Sequence, residues 1–222
     1  MKNEKTKLTL DDGNIVDAQT PLIVSASRAT DIPAFYSTWF FNRLDKGYVR
    51  WRNPYNGKDS YVSFDNTKFI VFWSKNPAQL LQFLPILKQK GIGCYVQYTL
   101  NDYYAEGLEP NVPPLHRRIE TFKRLVDELG LGSVVWRFDP LILTDRISAE
   151  DLVHKISNIA GELYGYVEKL VFSFADISSY RKVGRNLSDA GINYHEWSED
   201  EMIDFSRRLA DMNLGLELAT CA

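Results

Sequence analysis

Three cations in this 222-residue chain stand on or just past the ends of short apolar runs: Arg28, Lys75 and Arg137. A cation on a buried strand is costly unless it has a partner, so each calls for a carboxylate or an anionic ligand. Asp139 lies two residues beyond Arg137, which puts both side chains on one face of an extended strand. That pair reads either as a structural ion pair or as a clamp for an anionic substrate. Asp139, Asp176 and Glu217 follow different runs and are candidates for a general acid–base pair of the glycosidase kind. Ser27, Asp31, Trp73, Asn76, Gln97 and Thr99 stand at the same run ends, with Asn53 in a polar segment, and complete the candidate substrate- or cofactor-binding set. Asp31 and Asn76 precede prolines and serve equally well as helix caps.

Other chemistries find less support. His116 and His154 fall in helical segments and His195 in a loop, with no pair at metal-ligand spacing. No metal site is expected. Gly91-Ile92-Gly93 and Gly130-Leu131-Gly132 precede strands and so end helices, whereas a phosphate loop would open one. Cys94 sits in an apolar run and Cys221 is the penultimate residue, which makes no disulfide framework and predicts a reducing cytoplasm.

The elements that must position these residues alternate. Runs at Leu22–Ser27, Phe69–Trp73, Cys94–Thr99, Ser133–Phe138, Lys169–Phe174 and Leu214–Ala219 are rich in β-branched and aromatic residues and too short for helices. Between most of them lies a segment with helical spacing. Pro33–Lys46 is the first, and Pro77 opens a second to about Lys90, which Pro85 should kink. Leu115–Leu129 carries Ile119, Phe122, Leu125, Val126 and Leu129 along one face. Ser148 with Asp151 opens a helix to about Tyr164, and Ser198 with Glu201 forms a capping box for Glu199–Met212. Residues 48–64 read as an inserted hairpin around Asn56-Gly57, whose aromatics (Tyr48, Trp51, Tyr55, Tyr61) either pack the hairpin or bind a flat or sugar ligand.

This alternation predicts an α/β fold with a parallel sheet, doubly wound or closed. Without a nucleotide fingerprint, a partial TIM-like barrel of about six strand–helix units suits the length, as a single domain over residues 1–222. Strands of this kind are expected to be covered on both faces. Functional groups should then gather at the strand C-termini. A net charge of −3 argues against non-specific nucleic-acid binding, and no apolar run reaches membrane-spanning length. A small-molecule ligand in a soluble, cytoplasmic protein is the expectation.

The strand-end motifs together resemble a known family. Ser25-Ala26-Ser27-Arg28-Ala29-Thr30-Asp31-Ile32-Pro33-Ala34-Phe35-Tyr36, Arg52-Asn53-Pro54-Tyr55-Asn56, Phe72-Trp73-Ser74-Lys75-Asn76-Pro77 and Trp136-Arg137-Phe138-Asp139-Pro140 are similar to an uncharacterised, mainly bacterial family, domain of unknown function eighteen forty-eight. The likeness runs from about Ile23 to Cys221. It implies a C-terminal cysteine cluster in longer members, similar to the iron–sulfur motif of radical S-adenosylmethionine enzymes, and hence a 4Fe-4S cluster and S-adenosylmethionine at the barrel mouth. This sequence ends at Cys221-Ala222 with no Cys-x₃-Cys-x₂-Cys, and such a cluster needs three or four thiolates. The expectation is either a barrel truncated relative to its family or a variant that has lost the cluster, with Cys221 as at most a remnant ligand, no bound cluster and no radical activity of its own. On that reading Arg28, Lys75 and Arg137 contact an anionic substrate or a cofactor carboxylate, while Asp31, Asn53, Asn76, Asp139 and Asp176 position it. The alternatives are a cofactor-independent hydrolase or lyase using Asp139, Asp176 or Glu217, and a non-catalytic domain docking a partner through Trp51 and Tyr55.

Overall fold

The computed structural model describes residues 5–27, 30–53 and 56–220. The fold is mixed α/β, and the chain divides into two compact units, Met1–Val96 and Gln97–Ala222. The first unit holds β1 (Lys5–Thr9), β2 (Ile15–Gln19), β3 (Ile23–Ser25), α1 (Ile32–Phe35), α2 (Ser37–Asp45), β4 (Tyr48–Arg52), β5 (Asp59–Ser63), β6 (Phe69–Ser74), a 3-10 segment (Pro77–Phe83) and α3 (Leu84–Gln89). The division falls within β7 (Gly93–Thr99). The second unit continues with α4 (Leu115–Leu129), β8 (Val134–Leu141), β9 (Leu143–Thr144), α5 (Ala149–Glu162), β10 (Lys169–Phe174), α6 (Arg181–Asp189), β11 (Tyr194–His195), α7 (Glu199–Asp211) and β12 (Glu217–Thr220).

The large parallel sheet has six strands in the order β12-β10-β8-β7-β6-β3. Sequence order and sheet order therefore run together, with no reversal. A doubly wound sheet reverses at a switch point. This one does not. All six apolar runs became strands of this sheet, the last of them shifted toward the C-terminus to Glu217–Thr220.

Within each unit the sheet has unequal faces, where coverage of both was expected. In the second unit Trp136, Phe138, Leu170 and Phe172 are buried, and Tyr98 stacks on Phe122 of α4 at 5.8 Å. Of their neighbours along the strands, Val135, Asp139, Val171 and Ser173 are only half-buried, while Arg137 and Thr99 are buried. In the first unit Ile70 and Phe72 are buried, with Phe72 beside Phe40 and Phe41 of α2, while Trp73 is 42% exposed. The helix-facing side supplies the apolar core, and the other side carries polar residues, buried or half-buried.

Several local expectations changed. The hairpin at 48–64 is β4 with β5, but it joins two strands that charged residues had concealed, in the order β1-β2-β5-β4. The first helix breaks at Tyr36 (φ −132°) into α1 and α2. Pro85 lies in the first turn of α3 and so begins a helix that follows a 3-10 segment, where a kink was expected. Helix α6 had no sequence signal because Leu187 is its one buried residue. Among the described residues no helix is long and apolar enough to cross a membrane.

Both capping boxes formed. At α7 the Glu201 carboxylate accepts the Ser198 N–H and hydroxyl and faces His195 Nε2 at 3.1 Å. The Ser198 donors and then His195 pull its pKa from 4.5 to about 2. A carboxyl lowered by folding stabilises the fold above its unfolded pKa and loses that contribution as pH falls toward the folded value. The stability difference between the wild type and Glu201→Gln, read from urea midpoints, should therefore shrink steadily from pH 5 to pH 2.5. A constant difference would mean the box is not formed.

Candidate functional site

The second unit gathers four of the candidate residues, Gln97, Thr99, Arg137 and Asp139, toward the C-terminal ends of β7 and β8, and adds Ser173 of β10. Arg137 and Asp139 do share a face of β8, as their spacing requires. Arg137 Nε and Nη2 both donate to Asp139 Oδ2, at 3.1 and 2.6 Å, and Nη1 donates to Gln97 Oε1 at 2.8 Å. Ser173 of β10 donates its hydroxyl to Asp139 Oδ1. The Arg137 side chain is 5% exposed and that of Asp139 is 18% exposed, so the carboxylate forms the wetter edge of the pair. Of the two readings of this pair, the geometry has the ion pair, and a ligand would meet it as a neutral unit. Thr99, at the end of β7, shares the face of Gln97 by strand alternation and is buried.

Asp139 is placed by residues the sequence reading passed over. Beyond Thr99 the ladder continues for one bond, from Leu100 N–H to Arg137 C=O. Then a side chain replaces the strand. Asn101 Oδ1 accepts the Asp139 N–H at 3.0 Å and Asn101 Nδ2 donates to the Asp139 carbonyl at 3.1 Å. Asn101 is fully buried, and its own carbonyl accepts Arg118 Nη2 at 2.6 Å. Glu109 joins from the β7–α4 loop, accepting Asn101 Nδ2 at 3.3 Å and facing Arg118 Nη1 at 3.8 Å. Tyr103 braces the next residue, donating to the Pro140 carbonyl at 2.8 Å, and burial raises its phenol well above the usual range.

Arg118 is 2% exposed. Burial pulls its guanidinium below the ordinary value and Glu109 opposes that shift. A sequence signal for it existed, since Leu115, Arg118, Phe122, Leu125 and Leu129 form one helical stripe with a cation in an apolar line. Lys155 of α5 clamps the same loop through Glu106 at 2.9 Å and Asp102 at 3.9 Å.

In the first unit Asp31 links two elements. Its Oδ1 caps α1 at Ala34 N–H, and its Oδ2 accepts the Ser74 hydroxyl and the Lys75 N–H, each at 3.0 Å. This is a structural tie. Asn76 precedes the 3-10 segment but makes no side-chain cap there. Asn53 closes the β4–β5 hairpin, accepting Gly57 N–H and donating to the Lys58 carbonyl. The Ser27 hydroxyl is buried without a hydrogen-bond partner among the described residues. Arg28, Tyr55 and Cys221 lie outside the described residues.

The two remaining carboxylates do not join Asp139 as expected. Glu217 begins β12 and pairs with Lys169, the first residue of β10, at 2.7 Å. It therefore sits at the N-terminal end of its strand, opposite the end that carries Asp139, because β12 starts three residues later than the apolar run. Asp176 accepts hydrogen bonds from Ser179 N–H and the hydroxyls of Ser178 and Ser179, and these donors lower its pKa. It is an ionised turn cap at neutral pH, a poor general acid.

The donor set does not fit an iron–sulfur cluster. Cys94 is buried in β7, and desolvation pushes its thiol up to about 11. Three thiolates are needed, and the sequence has two cysteines. Among the described residues no three His, Cys, Asp or Glu side chains converge as metal ligands.

A family model described as domain of unknown function (DUF1848) matches residues 23–222. The chain belongs to this family. No curated protein matches it. Every residue of the Asp139 cluster lies within the DUF1848 region, whereas β1 and β2 precede it.

Removing one partner of a buried ion pair leaves the other charge uncompensated, at a cost of about 3–5 kcal/mol. Arg118→Met should cost that much in urea unfolding, and adding Glu109→Gln should recover a large part of it. A loss under about 1 kcal/mol, the size of a surface pair, would contradict the buried network.

Proposed function

We propose that this DUF1848 chain is the barrel portion of a radical-S-adenosylmethionine-like enzyme, and that the Gln97–Arg137–Asp139–Ser173 cluster binds a polar small molecule or a modified group of a macromolecule. The observation that carries the proposal is the cluster's position. It lies on the half-open face of a parallel sheet wound in one direction, at the C-terminal ends of adjacent strands. Strand C-termini are where barrels keep their chemistry. The resemblance of the strand-end motifs supplies the enzyme class.

The residues present define a binding role. Arg137 is already neutralised by Asp139, so recognition rests on directed hydrogen bonds rather than on a bare cation. The exposed edge of Asp139 suits a donor such as the amino group of an amino-acid moiety, and the Gln97 amide lies beside it on the guanidinium. Since the cysteines do not fit a cluster, these residues carry recognition and orientation and no radical step.

A second reading has one observation in its favour, the hydrogen bond from Ser173 to Asp139. A cofactor-independent hydrolase or lyase would use Asp139 as base toward a substrate hydroxyl. That reading predicts turnover in this chain without metal, lost in Asp139→Asn.

Calorimetric titration of the purified chain with S-adenosylmethionine tests the first reading. Saturable binding is expected, weakened roughly tenfold or more by Ser173→Ala, because Asp139 then loses a positioning contact. After anaerobic treatment with iron and sulfide the chain should stay colourless. Absence of binding, or binding indifferent to both Ser173→Ala and Arg137→Gln, would remove the proposal.

A further inference from the structure

The first unit contains a second place where a ligand could be held, built from elements that the strand-end site does not use. An open cleft of about 410 Å³ lies between α2 and the four-stranded sheet. Trp39 and Arg43 line it from α2, Tyr48 and Arg50 from β4, Tyr61 from β5, and Asp11 and Asp12 from the β1–β2 turn. The register explains the grouping. Tyr48 and Arg50 are on one face of β4 by alternation, and Arg50 lies opposite Tyr61. Trp39 and Arg43 are four residues apart and so adjacent on one side of α2.

Arg43 is the telling residue. It is half-buried, its guanidinium lies 4.4 Å over the Tyr48 ring, and its Nε donates to the Tyr48 carbonyl at 3.0 Å. These contacts fix the plane of the fork. Among the described residues no carboxylate comes within ion-pair distance of it. The acids nearby are engaged elsewhere: Asp11 faces Lys46 at 3.4 Å, and Asp12 accepts both amides of Asn14. Asp59 is shared between Arg50 and Arg52, and those two guanidiniums draw its pKa down to about 2. With one carboxylate for two arginines, the spare positive charge offsets the negative charge of Asp12, which faces Asn14 rather than a cation among the described residues.

A stacked, oriented guanidinium on a residue that lines a cleft is suited to a carboxylate or a phosphate. The cleft also presents a flat apolar surface, since Trp39 is 46% exposed and makes no hydrogen bond through its indole N–H among the described residues. Aromatic faces favour planar ligands. We propose that this cleft binds a planar aromatic molecule carrying one anionic group, with the anion on the Arg43 Nη atoms and the ring against Trp39. The paired carboxylates at its rim disfavour ligands with several negative charges. Such a site is independent of the strand-end cluster, and neither Trp39 nor Arg43 has a role there.

The test uses the whole chain labelled with nitrogen-15. Its five tryptophans give five indole N–H signals, and Trp39→Leu assigns the one that matters. The probes are phenyl phosphate and benzoate for the two anion sources, phenol for the ring alone and inorganic phosphate for the charge alone. At least one of the first two should shift the Trp39 signal saturably, whichever anion the cleft prefers. Phenol and inorganic phosphate should each bind roughly tenfold more weakly or worse. Arg43→Gln should abolish the shift, while Arg43→Lys retains part of it, a rescue that damage to the helix alone would not give. If neither aromatic anion moves the Trp39 signal, or if Arg43→Gln binds as well as the wild type, the proposal fails. Should Arg43→Gln not fold, equal binding of phenol and the aromatic anions to the wild type would overturn it alone.

Discussion

The strand-end site depends on one substitution of side chain for backbone, the Asn101 amide in the place of a β-strand. At the end of β7 the main chain must leave the sheet to reach α4, and the Asp139 N–H and C=O would lose their partners inside the protein. Buried peptide groups are costly to leave unpaired. Asn101 meets both with one planar amide, and Arg118 and Glu109 hold Asn101 from behind. The order of dependence is thus clear. A cation buried on α4 fixes the loop, the loop fixes Asp139, and Asp139 fixes Arg137 and Ser173.

That order also explains why the cluster is neutral. Arg137 stands on a strand with little exposure, where an uncompensated guanidinium would destabilise the sheet. Asp139 supplies the compensation and keeps one oxygen for Ser173, so the site is organised before any ligand arrives. Preorganised groups of this kind favour recognition by direction and shape. The open cleft of the first unit works on a different principle, because Arg43 has stacking and a carbonyl contact but no carboxylate among the described residues. One site is satisfied internally, and the other keeps donors for a ligand.

Much of this was legible in the residues. The six strands of the parallel sheet followed from short apolar runs, and the pairing of Arg137 with Asp139 followed from a spacing of two. The failures have physical causes. Strands β1 and β2 bury only one face of a small sheet, so their charged residues masked the alternation. Glu217 was put at the wrong end of β12 because an apolar run does not mark where hydrogen bonding begins. The buried network of Asn101, Glu109 and Arg118 escaped because two of its members lie in an irregular loop with no periodicity and meet the third only through tertiary contacts. Arg118 alone left a trace, a cation within the apolar stripe of α4.

Hydrogen exchange at the Asp139 amide tests the central claim most directly. That N–H has a side-chain acceptor where a strand would normally supply a carbonyl, so its protection reports on Asn101 itself. In the wild type it should exchange as slowly as neighbouring amides of β8 and β10. In Asn101→Ala it should lose roughly a hundredfold in protection while the Phe172 amide is little changed. An Asp139 amide that exchanges rapidly in the wild type, or that is indifferent to Asn101→Ala, would contradict the account.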